Sequence, residues 1–135
     1  MVENFLAVDY GASRIGLALG DSQVKIGVPL EALTNNEAAI EQIVKLANLE
    51  NVRQIVVGYP RNQAGEATQQ TAVVTEFADK LKVKFADVVF QDESLTSVLA
   101  EDRLKSYGKK YTKGDIDSMA AVIILEDFLE ENYGR

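Results

Sequence analysis

The side chains able to do chemistry in this sequence are its carboxylates, because none of its 135 residues is histidine or cysteine. Without histidine the usual general base, the commonest zinc ligand and the standard partner of a nucleophilic serine are all missing. Carboxylates, lysines, hydroxyls or a bound cation must then do the work, and such a cation would be a hard, oxygen-preferring one such as Mg²⁺ or Mn²⁺. Three places present acids in distinctive settings. Asp9 closes the apolar run Leu6-Ala7-Val8 and is followed by Tyr10-Gly11, so its carboxylate projects where a strand meets a turn. There it could bind a metal, contact a phosphate or cap its own turn. Asp92 and Glu93 follow Val88-Val89-Phe90 and precede Ser94-Leu95-Thr96-Ser97, which reads as the start of a helix. Neighbours on a strand point to opposite faces, so at most one of these two acids faces a given site and the other is free to cap the helix. Asp117 stands four, seven and eleven positions before Ala121, Ile124 and Phe128. That spacing puts it on the apolar face of a helix, where a carboxylate must be compensated. A metal shared with other acids would do so, as would the helix dipole in a first turn that Asp115 could equally serve.

The cations are unevenly spread. A net charge of −7 argues against nucleic-acid binding through the field of the whole molecule. A local patch remains: Arg103, Lys105, Lys109, Lys110 and Lys113 fall within eleven positions with no acid among them, either a solvated helix end or an element that holds phosphates. Arg14 is a further candidate for phosphate. Gly58-Tyr59-Pro60-Arg61-Asn62, with Gly65 and Glu66, reads as a strand-to-helix loop. Its glycines allow close backbone approach, a helix N-terminus beyond it can receive a phosphate, and Arg61 and Asn62 are candidate substrate contacts.

Elements that could position these groups follow from periodicity. Residues 5–10, 14–19 and 24–33 read as three strands joined by short turn-rich links, an antiparallel meander. Thr34-Asn35-Asn36-Glu37 has the pattern of a capping box, and Ala39, Ile40, Ile43, Val44 and Ala47 recur at helical spacing up to about residue 49. Ile55-Val56-Val57-Gly58 is a β-branched run without alternation, as in a strand covered on both faces. Helices are expected over 66–82, 96–107 and 115–132, with a buried strand at 88–90. Strands reached through helical crossovers must be parallel, so the whole is an α/β fold with a mixed sheet.

At 135 residues and 47% hydrophobic, with no low-complexity stretch, the chain is expected to form one compact domain over 1–135. The N-terminus has no basic leader pattern and the longest apolar run, 119–125, is far below the ~18 residues a membrane span needs. The expectation is a cytoplasmic protein with no membrane partner.

Four blocks in order resemble the YqgF (RuvX) family of Holliday-junction resolvases and pre-ribosomal-RNA nucleases, within the RNase H-like superfamily. They are Leu6-Ala7-Val8-Asp9-Tyr10-Gly11 with Arg14-Ile15-Gly16; Ile55 to Asn62 with Gly65; Asp92-Glu93-Ser94-Leu95-Thr96-Ser97; and Ile116-Asp117-Ser118-Met119-Ala120-Ala121. The resemblance implies a five-stranded mixed sheet of order 3-2-1-4-5 flanked by helices. It also implies Mg²⁺-dependent phosphodiester hydrolysis with Asp9, Glu93 and Asp117 as metal-binding acids. The substrate would be structured precursor RNA, in maturing the 5′ end of small-subunit ribosomal RNA, or branched DNA at a four-way junction. The chain departs from the family pattern at Ser94, often Arg, and Tyr59, often Leu. In RuvC-type resolvases the second acid follows the fourth strand, where this chain has Gly58-Tyr59-Pro60. Glu93 would have to serve from the next strand, two strand spacings from Asp9 or about 10 Å. Two other classes share parts of the pattern: a non-catalytic RNase H-like binding module, and an actin-like or sugar-kinase phosphate-binding domain.

Overall fold

The computed structural model describes residues 1–60, 68–93 and 96–134. In chain order the elements are β1 (Asn4–Tyr10), β2 (Arg14–Asp21), β3 (Val28–Pro29), β4 (Leu33–Thr34), α1 (Ala39–Leu49), β5 (Val52–Pro60), α2 (Gln69–Lys84), β6 (Val88–Glu93), α3 (Thr96–Ser106) and α4 (Lys113–Tyr133). The sheet runs β3-β2-β1-β5-β6, with β4 also paired to β2. β2 is antiparallel to β1, whereas β5 and β6 run parallel to it, as the helical crossovers require. The expected order therefore holds with six strands in place of five. The difference lies in 24–33, expected as one strand, where instead β3 and β4 each pair with β2 at two residues. The capping box expected at 34–37 is also not formed. Thr34 belongs to β4, and α1 begins after Ala38 with no side-chain cap, the Asn36 carboxamide accepting instead from the Ala38 N–H.

Alternation along the strands divides the core in two. Leu6, Val8, Ile55 and Val57 point to the side covered by α1 and α2, while Phe5, Ala7, Ala18 and Val56 meet α4 on the other. On β2 the residues facing α4 are small: Gly16, Ala18 and Gly20 alternate with the larger Ile15, Leu17 and Leu19. This stripe lets α4 settle almost onto the strand backbone. A Cβ on Gly16 would overlap the Asp117 carbonyl and lie 2.8 Å from the Ser118 nitrogen. Ile124 and Leu125 are fully buried in the contact, so truncating either to alanine should cost about 2–5 kcal/mol.

β2 reveals how α4 is fixed in register. β3 pairs with Ala18 and Leu19 and β4 with Arg14 and Ile15, which leaves the Leu17 N–H between them without a strand partner. The buried hydroxyl of Ser118, on α4, accepts that hydrogen bond at 3.3 Å. At the start of the helix Thr112 and Asp115 form a reciprocal capping box: the Thr112 hydroxyl accepts from the Asp115 N–H, and the Asp115 carboxylate from the Thr112 N–H. Asp115 thus fills the first-turn role, and Asp117 is left for another. No helix among the described residues is long and apolar enough to cross a membrane.

Candidate active site

Asp9 lies near the C-terminal end of the central strand β1, on the face that α4 covers. The turn beyond it is held by Asn35, whose carboxamide donates to the Gly11 carbonyl at 2.7 Å and whose N–H donates to the Ser13 carbonyl at 2.9 Å. Parallel registry extends Val8–Val57 and Gly58–Gln91 to an Asp9–Gly58–Gln91 row, and Glu93 lies one alternation further along β6 on the same face. Asp92 is on the opposite face and exposed. Strand alternation therefore selects Glu93 of the two acids.

The two-strand gap between Asp9 and Glu93 is bridged through Gly58. A Cβ there would overlap the Glu93 Oε2 and lie 2.6 Å from the Ile124 Cδ1, so the Glu93 side chain crosses β5 through the space that glycine leaves. The Thr96 hydroxyl, in the first turn of α3, donates to Glu93 Oε1 at 2.6 Å and fixes one carboxylate oxygen. Gly58 thus serves as the passage for an acid from the next strand.

The electrostatics follow from this placement. Burial, then the negative charge of Glu93, then that of Asp117 push the Asp9 carboxyl well above the ordinary carboxylate range. Burial also raises Glu93, against the opposing effect of its hydrogen bond from Thr96. Asp117 is held otherwise: Arg14 Nε donates to its Oδ2 at 2.6 Å, and the pair's side chains are 40% and 25% exposed. Asp9 is thus close enough to feel the charge of both other acids. Among the described residues, however, no three acids are gathered tightly enough to ligate one ion.

Of the sequence-derived substrate contacts, Arg14 is engaged with Asp117, while Arg61 and Asn62 lie outside the described residues, as does Ser94. Arg103 turns inward to Glu126, with Nη1–Oε1 at 2.9 Å. The other Glu126 oxygen accepts the Gly27 N–H at 2.9 Å, so this acid joins α3, α4 and the segment before β3. Lys105, Lys109, Lys110 and Lys113 are exposed. The α3–α4 loop, which carries Lys109 and Lys110, turns at Gly108, whose φ is 71°, and is pinned where the Tyr111 hydroxyl donates to Glu101 at 2.7 Å. Sequence reasoning missed Gly58 and Ser118 as positioning residues. Gly58 was readable only as a flexible turn, and nothing local marks the distant N–H that Ser118 satisfies. Two cavities of about 350 and 430 Å³ lie elsewhere, one at the Val24–Val28 edge and one between α1 and α2. The acids themselves line neither.

The sequence matches the profile of RuvX, described as Holliday junction resolvase, over residues 3–131. A candidate pre-16S rRNA nuclease from Chloroflexus aurantiacus is 42% identical over 130 residues, covering 93% of this chain and 85% of the relative. One from Rickettsia typhi is 38% identical over 129 residues, covering 92% and 83%. Among solved structures, Thermus thermophilus RuvC in complex with a Holliday junction substrate superposes with a TM-score of 0.60 at 12% identity, covering 98% of this chain and 96% of that one. The fold is RNase H-like.

Proposed function

The chain belongs to the RuvX Holliday junction resolvase family, and from that premise we propose that it is a nuclease whose phosphodiester hydrolysis is centred on Asp9, Glu93 and Asp117. Its work is ribosomal-RNA processing or junction resolution. Of the two we favour cleavage at the 5′ end of the small-subunit rRNA precursor, because the relatives at 42% and 38% identity carry that name. One observation supports the site above all: Asp9 lies on the central strand beside the Glu93 carboxylate that crosses Gly58, and burial, then the charges of Glu93 and Asp117, push its pKa up. Acids whose pKa is raised by burial and neighbouring charge cluster at functional sites.

The donor set suits Mg²⁺ or Mn²⁺, being all carboxylate oxygen in a chain without histidine or cysteine. Asp9, Glu93 and Asp117 would hold the ion. Bound there, it would lower the pKa of an attacking water and neutralise charge developing on the phosphate. The protein's own residues do the positioning. Asp9 is fixed by the strand, Glu93 is oriented by Thr96 through the opening at Gly58, and Asp117 is placed by the Gly16 and Ser118 contacts of α4. Lys105, Lys109, Lys110 and Lys113 would hold the nucleic-acid backbone, and Arg61 and Asn62 are proposed as further substrate contacts. Arg103, committed to Glu126, would support that surface from beneath. We place the activity in the cytoplasm and read 1–135 as one domain.

The test is purified protein with Mg²⁺ or Mn²⁺, offered an rRNA precursor bearing its 5′ extension and, separately, a four-way DNA junction. Cleavage of the precursor by native protein but not by Asp9→Asn supports the reading. Cleavage of the junction alone moves the substrate to branched DNA, and no cleavage of either under both ions contradicts the assignment.

A further inference from the structure

Asp9 feels the charge of two other carboxylates, and the structure gives one of these, Asp117, a cation of its own. Arg14 and Asp117 are 103 positions apart in sequence, yet Nε and Oδ2 meet at 2.6 Å. The two partners differ in freedom. Asp117 sits on a helix whose backbone presses on Gly16 and whose next residue is hydrogen-bonded to β2, so its position is fixed. Arg14 begins β2 on a long side chain that is 40% exposed. If the pair parts, it is the guanidinium that swings. Among the described residues no three acids are grouped so as to hold one ion, although the charges of Glu93 and Asp117 act on Asp9.

We infer that Arg14 is a resident counter-cation of Asp117 that exchanges partners: it occupies the carboxylate in the free protein and yields it to the divalent ion when a nucleic-acid phosphate offers the guanidinium another anion. This rests on the cation site proposed above. Arg14 then has two successive anionic partners, and the exchange links the two ligands. Because linkage is reciprocal, substrate tightens cation binding by the factor by which the cation tightens substrate binding. In the free protein the arginine competes with the ion, which keeps the acids from holding a cation strongly before substrate arrives.

The test compares native protein with Arg14→Gln and Arg14→Lys, each first checked for a native melting curve. Mn²⁺ uptake by the free proteins is followed by the electron paramagnetic resonance of unbound Mn²⁺. Binding to a labelled four-way junction and to a labelled rRNA leader is followed by fluorescence anisotropy in Ca²⁺. For Arg14→Gln the two readouts should move in opposite directions. Mn²⁺ affinity rises about two- to fivefold, the range carried by part-exposed ion pairs. Nucleic-acid affinity falls by at least about tenfold, as expected when a charge-assisted bond is removed. Arg14→Lys, which keeps the charge, should move both back toward native values. A variant that loses nucleic-acid affinity with Mn²⁺ binding unchanged makes Arg14 a plain phosphate contact and overturns the exchange. One that gains Mn²⁺ affinity alone, or loses both together, makes it a structural partner of Asp117 and overturns it equally. Native protein that takes up no Mn²⁺, or holds neither nucleic acid, overturns the site beneath the inference along with it.

Discussion

Replacing Gly58 by alanine adds one methyl group at the point where Glu93 crosses β5. The new Cβ would overlap Glu93 Oε2 and stand 2.6 Å from Ile124 Cδ1 and 3.1 Å from Glu93 Cδ. Carbon atoms pack at about 3.5–4.0 Å, so Ile124 must retreat by roughly 1 Å and the Glu93 carboxylate must leave its place. Overpacking of this size costs about 1–3 kcal/mol. That should leave a folded protein with a lower melting temperature. Moving a reacting-site group by about 1 Å costs on the order of 10²-fold in rate, so cleavage should fall by at least that much. A second readout separates displacement of Glu93 from general damage. Glu93 is the largest electrostatic contributor to the raised Asp9 pKa, so in Gly58→Ala the Asp9 carboxyl should titrate closer to the ordinary range, as carboxyl-carbon NMR can follow. A Gly58→Ala protein that cleaves at the native rate, with Asp9 titrating unchanged, would show that Glu93 does not act through this opening.

Gly16→Ala should be more damaging to the fold than Gly58→Ala. Its Cβ meets the Asp117 and Ser118 backbone rather than the ends of side chains, and chemical denaturation should show a loss at or above the upper end of the overpacking range, about 3 kcal/mol. Lys109→Ala with Lys110→Ala should weaken binding alike across sequences and flatten the slope of log K against log salt by about 0.7–0.9 for each phosphate no longer neutralised; an unchanged slope places the binding surface elsewhere. The pH dependence of stability without metal also has a definite sign. Asp9, Glu93 and Asp127 all titrate above their ordinary values, Asp127 through burial and then its neighbours Glu131 and Glu126. Acids raised by folding add stability that is complete below their unfolded values, near about 4, and lost as pH rises through the folded ones. Acidification from neutrality toward about 4 should therefore raise the melting temperature of the metal-free protein, and excess Mg²⁺ should blunt the trend because the ion needs the ionised acids. Melting curves across that range that fall steadily on acidification would contradict the repulsion.

Much of this arrangement was legible in the sequence because it is periodic. The β1–β2 hairpin, the parallel strands reached through helices and the apolar stripe of α4 all follow from spacing alone, and alternation already limited the Asp92-Glu93 pair to one site residue. The third strand was misread because Val24, Ile26 and Val28 alternate like strand residues yet are exposed, and pairing with β2 is limited to two short stretches. The capping pattern at 34–37 failed because β4 claims Thr34. What sequence could not supply were the long-range meetings: Arg14 with Asp117, Ser118 with the Leu17 N–H, and Glu93 passing over Gly58. Each depends on where two distant elements come to rest. Arg103 shows the same limit from the other side. It belongs to a run of cations in sequence, but α4 brings Glu126 against it and takes it out of the run.

The central claim is that Asp9 is kept for chemistry against the interest of stability, and Asp9→Asn tests it most directly in one paired measurement. Melting curves are recorded with and without Mg²⁺ beside a cleavage assay on the rRNA precursor. In this structure burial disfavours the charge of Asp9 and two other carboxylates repel it, so removing the charge relieves both. The variant should melt at the native temperature or above it without metal, should gain little from Mg²⁺ where the native protein gains stability by mass action, and should not cleave. Cleavage by the variant, or a loss of several kcal/mol in the metal-free fold, would make Asp9 a structural residue and contradict the account.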